Sequence, residues 1–141
     1  MDQPSLPYLI HRIARHLEER INGEARADGL KVEGIRTLLR LRAQDRQRVG
    51  ELAASTSIEQ SALSHMLKRL ESDGLVARGK IVDDDSRSKI VSLTPRGRRM
   101  AQKYAPLFSD FEEASLGDLS PADRRRLKAM LIGVYDRLSR A

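Results

Sequence analysis

Ser61, Ser64, His65 and Lys68 stand at spacings of three, one and three, on one face of any helix that contains them. Short hydroxyls, an imidazole and an ammonium on such a face can donate to base edges and phosphate oxygens when the helix lies in a groove of duplex DNA. Arg69 adds a second cation beside Lys68. The other face of the same segment carries Leu63, Met66, Leu67 and Leu70, so a helix over about 59–72 has an apolar side to bury and a polar side to present. Asp73-Gly74 ends it, the glycine supplying the left-handed conformation that closes a helix.

The flanking elements are those needed to hold such a helix. Gly50 to Ser55 form a short helix through Leu52, Ala53 and Ala54; Thr56, Ser57 and Ile58 form the turn, with Ser57 as the expected N-cap of the helix that follows. Leu75 to Val82 and Ser88 to Leu93 are short β-rich runs around Asp83, Asp84, Asp85, Ser86 and Arg87. Helix, turn, helix and hairpin in that order make a winged helix-turn-helix, whose second helix fits the major groove and whose hairpin is the wing. Arg87, Arg78 or Lys80 is the cation of this hairpin expected to serve the minor groove.

Outside this core the pattern is helical. Leu6, Leu9, Ile10, Ile13, Leu17 and Ile21 predict an amphipathic helix over 6–26, entered through Pro4 and Pro7 and fraying at Asn22, Gly23 and Gly29. Val32, Ile35, Leu38, Leu39 and Leu41 predict a second over about 31–44, and residues 42–48 (RAQDRQR) read as a polar, solvated connector. Thr94-Pro95 opens a further helix through Met100, Tyr104 and Leu107, bent or interrupted at Pro106. Leu116-Gly117-Asp118 breaks the pattern, and Ser120-Pro121 restarts it with a cap and a first-position proline. Leu127, Leu131, Val134 and Leu138 then make a stripe suited to core and dimer interface, while Arg124, Arg125 and Arg126 read as a solvated face. The expected fold class is mainly α with a small β-hairpin, in the order α-α-α-α-β-β-α-α.

Composition narrows the function. The 141 residues carry 26 Lys/Arg against 20 Asp/Glu, a net charge of +6, which suits a polyanionic partner. Yet residues 49–97 balance to neutrality, so placement rather than total charge must carry a DNA reading. Cysteine is absent, which excludes disulfides, thiolate metal sites and thiol-based redox switching. No secretory signal or membrane-length apolar run is visible, and a cytoplasmic protein is expected. There is no nucleophile–base pair, metal-ligand set or phosphate-cradling glycine loop, so neither an enzyme nor a cofactor is expected. Asp83 to Asp85 lack the further ligands of a calcium loop.

Taken together, Ser64 to Val76 (SHMLKRLESDGLV), Asp85-Ser86-Arg87 and Leu93 to Gly97 (LTPRG) resemble the MarR family of bacterial transcription regulators, and the resemblance covers essentially the whole chain. It implies a single domain over 1–141, with dimerisation helices in 1–30 and 98–141 and a winged helix-turn-helix in 31–97. It further implies a homodimer on a palindromic double-stranded operator, often a repressor released by an acidic or phenolic small molecule. Carried over by position, Ser61, Ser64, His65 and Lys68 match recognition-helix contacts, and Arg87 matches the wing arginine, with Asp85 fixing its geometry. The chain departs from the pattern twice. His65 stands where many members have arginine, and Val82 and Asp84 occupy the first copy of the Asp-x-Arg wing repeat. His11, Arg15 and His16 on the first helix are the candidate contacts to an anionic effector. The competing readings are a winged-helix module that binds protein and a ligand-independent activator.

Overall fold

The computed structural model describes residues 2–80 and 89–141. Among the described residues ten elements follow one another: α1 (Leu6–Ala25), a 3₁₀ turn (Arg26–Asp28), α2 (Val32–Ala43), β1 (Gln47–Arg48), α3 (Val49–Thr56), α4 (Gln60–Ser72), β2 (Val76–Lys80), β3 (Lys89–Leu93), α5 (Pro95–Leu116) and α6 (Pro121–Ser139). The mainly helical class and the helix-turn-helix followed by a hairpin are as expected. The loop joining β2 to β3, with Asp83 to Arg87, lies outside the described residues.

Three local outcomes differ from expectation. Helix α1 does not fray at Asn22-Gly23 but continues to Ala25. Asn22 is used instead as a remote cap, its Oδ1 accepting from the Val32 backbone N–H at 2.8 Å and so satisfying the start of α2. Ser57 does not cap α4. It takes the left-handed conformation, φ 58°, that ends α3, and α4 begins after Glu59 with no side-chain cap. The tight turn between the two helices needs that conformation more than α4 needs a hydroxyl. Thirdly, the polar segment 42–48 contains a strand. β1 pairs with β3 (Gln47↔Val91, Arg48↔Ile90), making a three-stranded antiparallel sheet in the order β1-β3-β2 rather than a bare hairpin.

The polar residues of that segment are spent on structure. Gln47 is 3% exposed, and its amide donates to the Gln44 carbonyl at 2.6 Å. Asp45 Oδ1 accepts from the N–H groups of Arg46 and Leu93 at 2.9 and 3.0 Å, while its Oδ2 accepts from Arg98 at 3.0 Å. One carboxylate thus ties the end of α2 to the end of β3 and the start of α5, a job that periodicity cannot reveal.

Residues 1–106 and 107–141 form two compact units. In the first, Ile21, Ile35, Leu38, Leu41, Leu52, Leu63, Leu67, Leu75 and Val91 are fully buried and form the aliphatic core that α4 packs upon. In the second, α6 is capped by Ser120, whose Oγ accepts from the Asp123 N–H. Arg124 belongs to more than a solvated face: it grips Glu113 through both terminal nitrogens, at 2.9 and 3.3 Å. Helix α5 runs unbroken through Pro106.

A carboxylate pin ties the corner between α1 and α2 to α5. Asp28 accepts from Lys103 Nζ at 2.7 Å and from the Tyr104 hydroxyl. The Lys103 hydrogen bond, then the Tyr104 one, holds the Asp28 carboxyl below its ordinary value, as Arg78 does for Glu71 and Arg124 for Glu113. These folded values are depressed, so the stabilisation is complete above the unfolded values and disappears as pH falls through the folded ones. Thermal unfolding should therefore give a flat Tm from neutrality down to about pH 5 and a fall below it. Asp28→Asn should lower the plateau and flatten the fall, and an unchanged acid limb would show that the pin contributes nothing.

Candidate nucleic-acid interface

The surface of α4 follows from which of its residues face the core. Leu63, Leu67 and Leu70 are buried, which turns Ser61, His65, Lys68 and Ser72 outward, all of them exposed. Ser64 lies on the shoulder of this face and is half-buried. The Ser61 hydroxyl donates to Glu59 Oε1 at 2.9 Å, which restrains the first turn. The structure therefore brings Ser61, His65 and Lys68 together on one outward strip, with Ser64 at its edge.

Arg69 is exposed on the opposite shoulder. There it borders a cavity of about 190 Å³ between the start of α2 and α4, lined by Leu30, Gly34, Ala62, Met66, Arg69 and Leu70 among others. Arg78 reaches back from β2 to the edge of this helix, its Nη2 donating to Glu71 Oε1 at 3.1 Å. Arg87 lies outside the described residues.

His11, Arg15 and His16 are exposed on α1. Arg15 pairs with Glu19 at 3.3 Å. Arg12, Arg15, His16 and Glu19 line a shallow hollow of about 80 Å³, which His11 does not line. Among the described residues no group of three or more His, Cys, Asp or Glu side chains is placed to hold a metal ion.

Two structural residues escape a search for site chemistry. Glu71 as the partner of Arg78 is signalled only by opposite charges either side of the Asp73-Gly74 turn. Asp45 has no sequence signal, because its three donors come from parts of the chain far apart in order.

The matching of this fold to known proteins is specific. Residues 32–88, spanning α2 to the wing, match the family model described as MarR family. A crystal structure of a MarR-family transcriptional regulator from Silicibacter pomeroyi is 34% identical, covers 91% of this chain and 86% of its own, and superposes with a TM-score of 0.81. This chain belongs to the MarR family. Among curated proteins, an HTH-type transcriptional repressor of Mycobacterium tuberculosis is 28% identical over 130 residues, 92% of this chain and 93% of that protein. The structure of the S. aureus MepR–DNA complex has the same fold, with a TM-score of 0.87 at 22% identity over 96% of this chain and 99% of that one. As a MarR-family fold, the chain is built as a regulator and not as an enzyme. No helix among the described residues is long and apolar enough to cross a membrane.

Proposed function

We propose that this protein is a homodimeric, sequence-specific DNA-binding transcription regulator, a repressor released by a small aromatic or anionic ligand. The observation that carries the reading is the outward strip of α4. Ser61, His65 and Lys68 are exposed on a helix whose other face is locked into the core, so the strip is rigidly presented. The MepR structure, of the same fold, is of a DNA complex, and the curated relatives are repressors.

Dimerisation is supported by apolar surface that one chain leaves open. On α1, Leu6, Leu9, Ile10 and Ile13 are 40–63% exposed, and on α6, Met130, Leu131, Tyr135 and Leu138 are 46–71% exposed. Contiguous apolar surface of this kind marks an interface. Two-fold symmetry then places two recognition helices about one helical turn of DNA apart, roughly 34–36 Å, to read a palindrome. A ligand that alters this spacing lowers affinity by as much as it prefers the non-binding arrangement. Two places could take it. The hollow beside Arg15 and His16 offers positive charge. The α2–α4 cavity is larger and adjoins the recognition helix itself, with Arg69 at its rim. Loss of release on Arg69→Ala, or on Arg15→Ala, decides between them in an effector titration.

Lys68 and His65 have separable roles. Lys68→Ala should weaken binding to every duplex and reduce the slope of log K against log salt by about 0.9, one phosphate contact. His65→Ala should leave that slope alone and relax base preference, by about 1–3 kcal/mol at one position of each half-site. Anisotropy titrations over a salt series, with single-base variants of the bound duplex, measure both. An unchanged slope for the first or an unchanged preference for the second removes that residue from the interface.

A further inference from the structure

Sequence places Arg78 among the cations of the wing, but its surroundings give it different work. In the sheet order β1-β3-β2, strand β2 is an edge. Its side chains alternate: Val76 is buried, Ala77 exposed, Arg78 inward with 15% of its side chain accessible, and Gly79 exposed. Arg78 therefore shares the face of Val76 that turns toward the body of the reader. Its Nε is enclosed and has no hydrogen-bond partner among the described residues, while Nη2 is committed to Glu71.

Glu71 lies in the last turn of α4. Between the two residues the chain reverses through Gly74, φ 74°, and the Leu75 N–H closes on the Leu70 carbonyl at 2.9 Å. The ion pair thus spans the joint where the recognition helix hands over to the wing strand. An exposed ion pair would matter little. This one is shielded on the arginine side, and the Glu71 carboxyl is held below its ordinary value chiefly by the Arg78 hydrogen bond. The edge of the guanidinium that carries Nη2 is thereby committed to a carboxylate of α4 and not to a phosphate. An inward charge on an edge strand discourages sheet-to-sheet aggregation, a purely structural benefit. That benefit needs no carboxylate at residue 71, whereas the observed pairing ties the strand to α4.

Resting on the DNA-binding reading above, we propose that Arg78 is a positioning residue that, through Glu71, sets the wing relative to the recognition helix and does not itself touch DNA. Two DNA-reading elements then move as one body, and a wing whose loop carries three aspartates gains from being held in register.

The test is a salt series of duplex-binding titrations on the full-length protein, with Arg78→Met, Glu71→Gln, the double variant and Arg78→Lys. Glu71 has 41% of its side chain accessible, so Glu71→Gln keeps the fold and leaves the test valid should Arg78→Met fold poorly. The expected result is that each single variant weakens specific binding about fivefold to tenfold, the size of one coupled pair. The salt slope stays at its wild-type value, the double variant is no worse than the worse single, and Arg78→Lys recovers part of the loss. Arg78 would instead be a DNA contact, and the proposal overturned, if Arg78→Met lowered the slope by about one while Glu71→Gln left binding equal or tighter. Wild-type affinity in all four variants would overturn it equally. Failure of the wild-type protein to bind any duplex would sink the DNA-binding reading, and this proposal with it, before any substitution is made.

Discussion

Replacing Gly97 by alanine should destabilise the protein by about 3 kcal/mol or more, a loss of roughly 10 °C in Tm, and take DNA binding with it at physiological temperature. A Cβ at this position would stand 1.9 Å from the Leu75 carbonyl oxygen and 3.1 Å from Leu93 Cδ2. Neither neighbour can yield cheaply. The Leu75 carbonyl accepts from the Thr94 N–H at 3.2 Å, and the Thr94 hydroxyl donates to the Gly74 carbonyl at 2.6 Å while accepting from the Gly97 N–H at 3.0 Å. Gly97 is buried in the first turn of α5, so the helix start is pressed directly onto the backbone that follows the recognition helix. Side chains can rotate out of an overpacked site, but a hydrogen-bonded carbonyl in a buried turn cannot. Gly23 supplies the comparison: it lies within α1 with nothing near its missing Cβ. Gly23→Ala should stabilise by about 0.5–1 kcal/mol through reduced chain entropy. Chemical denaturation of both variants checks the pair, and a Gly97→Ala protein as stable as wild type would mean that α5 does not pack on this turn.

Leu131→Asp should convert the protein to a monomer and lower its affinity for specific duplex by more than about a hundredfold, since one half-site contact no longer secures the second. Leu131 is 46% exposed in the single chain, on the strip of α6 that also holds Leu127, Val134 and Leu138. A carboxylate placed in a two-fold apolar interface appears twice, and each buried copy costs several kcal/mol after relaxation. Arg125 is exposed on the opposite side of the same helix, so Arg125→Asp should leave the dimer intact and serves as the control. Sedimentation with parallel binding titrations reads both effects. A dimeric Leu131→Asp protein would move the interface elsewhere, and a monomer that binds as tightly as wild type would remove the need for a dimer.

Much of this architecture is legible from residue order because the signals are local. The apolar stripe of Leu63, Leu67 and Leu70 and the Asp73-Gly74 stop place the recognition helix to within a residue, and the outward strip follows as its complement. Thr94-Pro95 and Ser120-Pro121 announce two helices in the same way, with the Thr94 and Ser120 hydroxyls accepting as expected. What is not legible depends on partners distant in the chain. Asn22 looks like a helix breaker until Val32 arrives to use its amide oxygen. Residues 42–48 look solvated because the strand they form is completed by β3, some 40 residues later, and because Asp45 satisfies donors from three places. Ser57 has the chemistry of a cap, but the backbone of the turn decides its conformation first. Arg78 has the charge for DNA, and only strand parity, which turns it inward toward Glu71, shows where its side chain goes.

Whether a dimer reads a specific duplex through α4 is decided by selecting bound fragments from a randomised pool of duplex DNA with the purified protein. A two-fold-symmetric sequence should be enriched, with half-sites centred about 10–10.5 base pairs apart and two protomers bound per site. Recovery of a pool no different from the input, at salt low enough to favour any phosphate contact, would contradict it and leave the winged helix as a surface for binding protein.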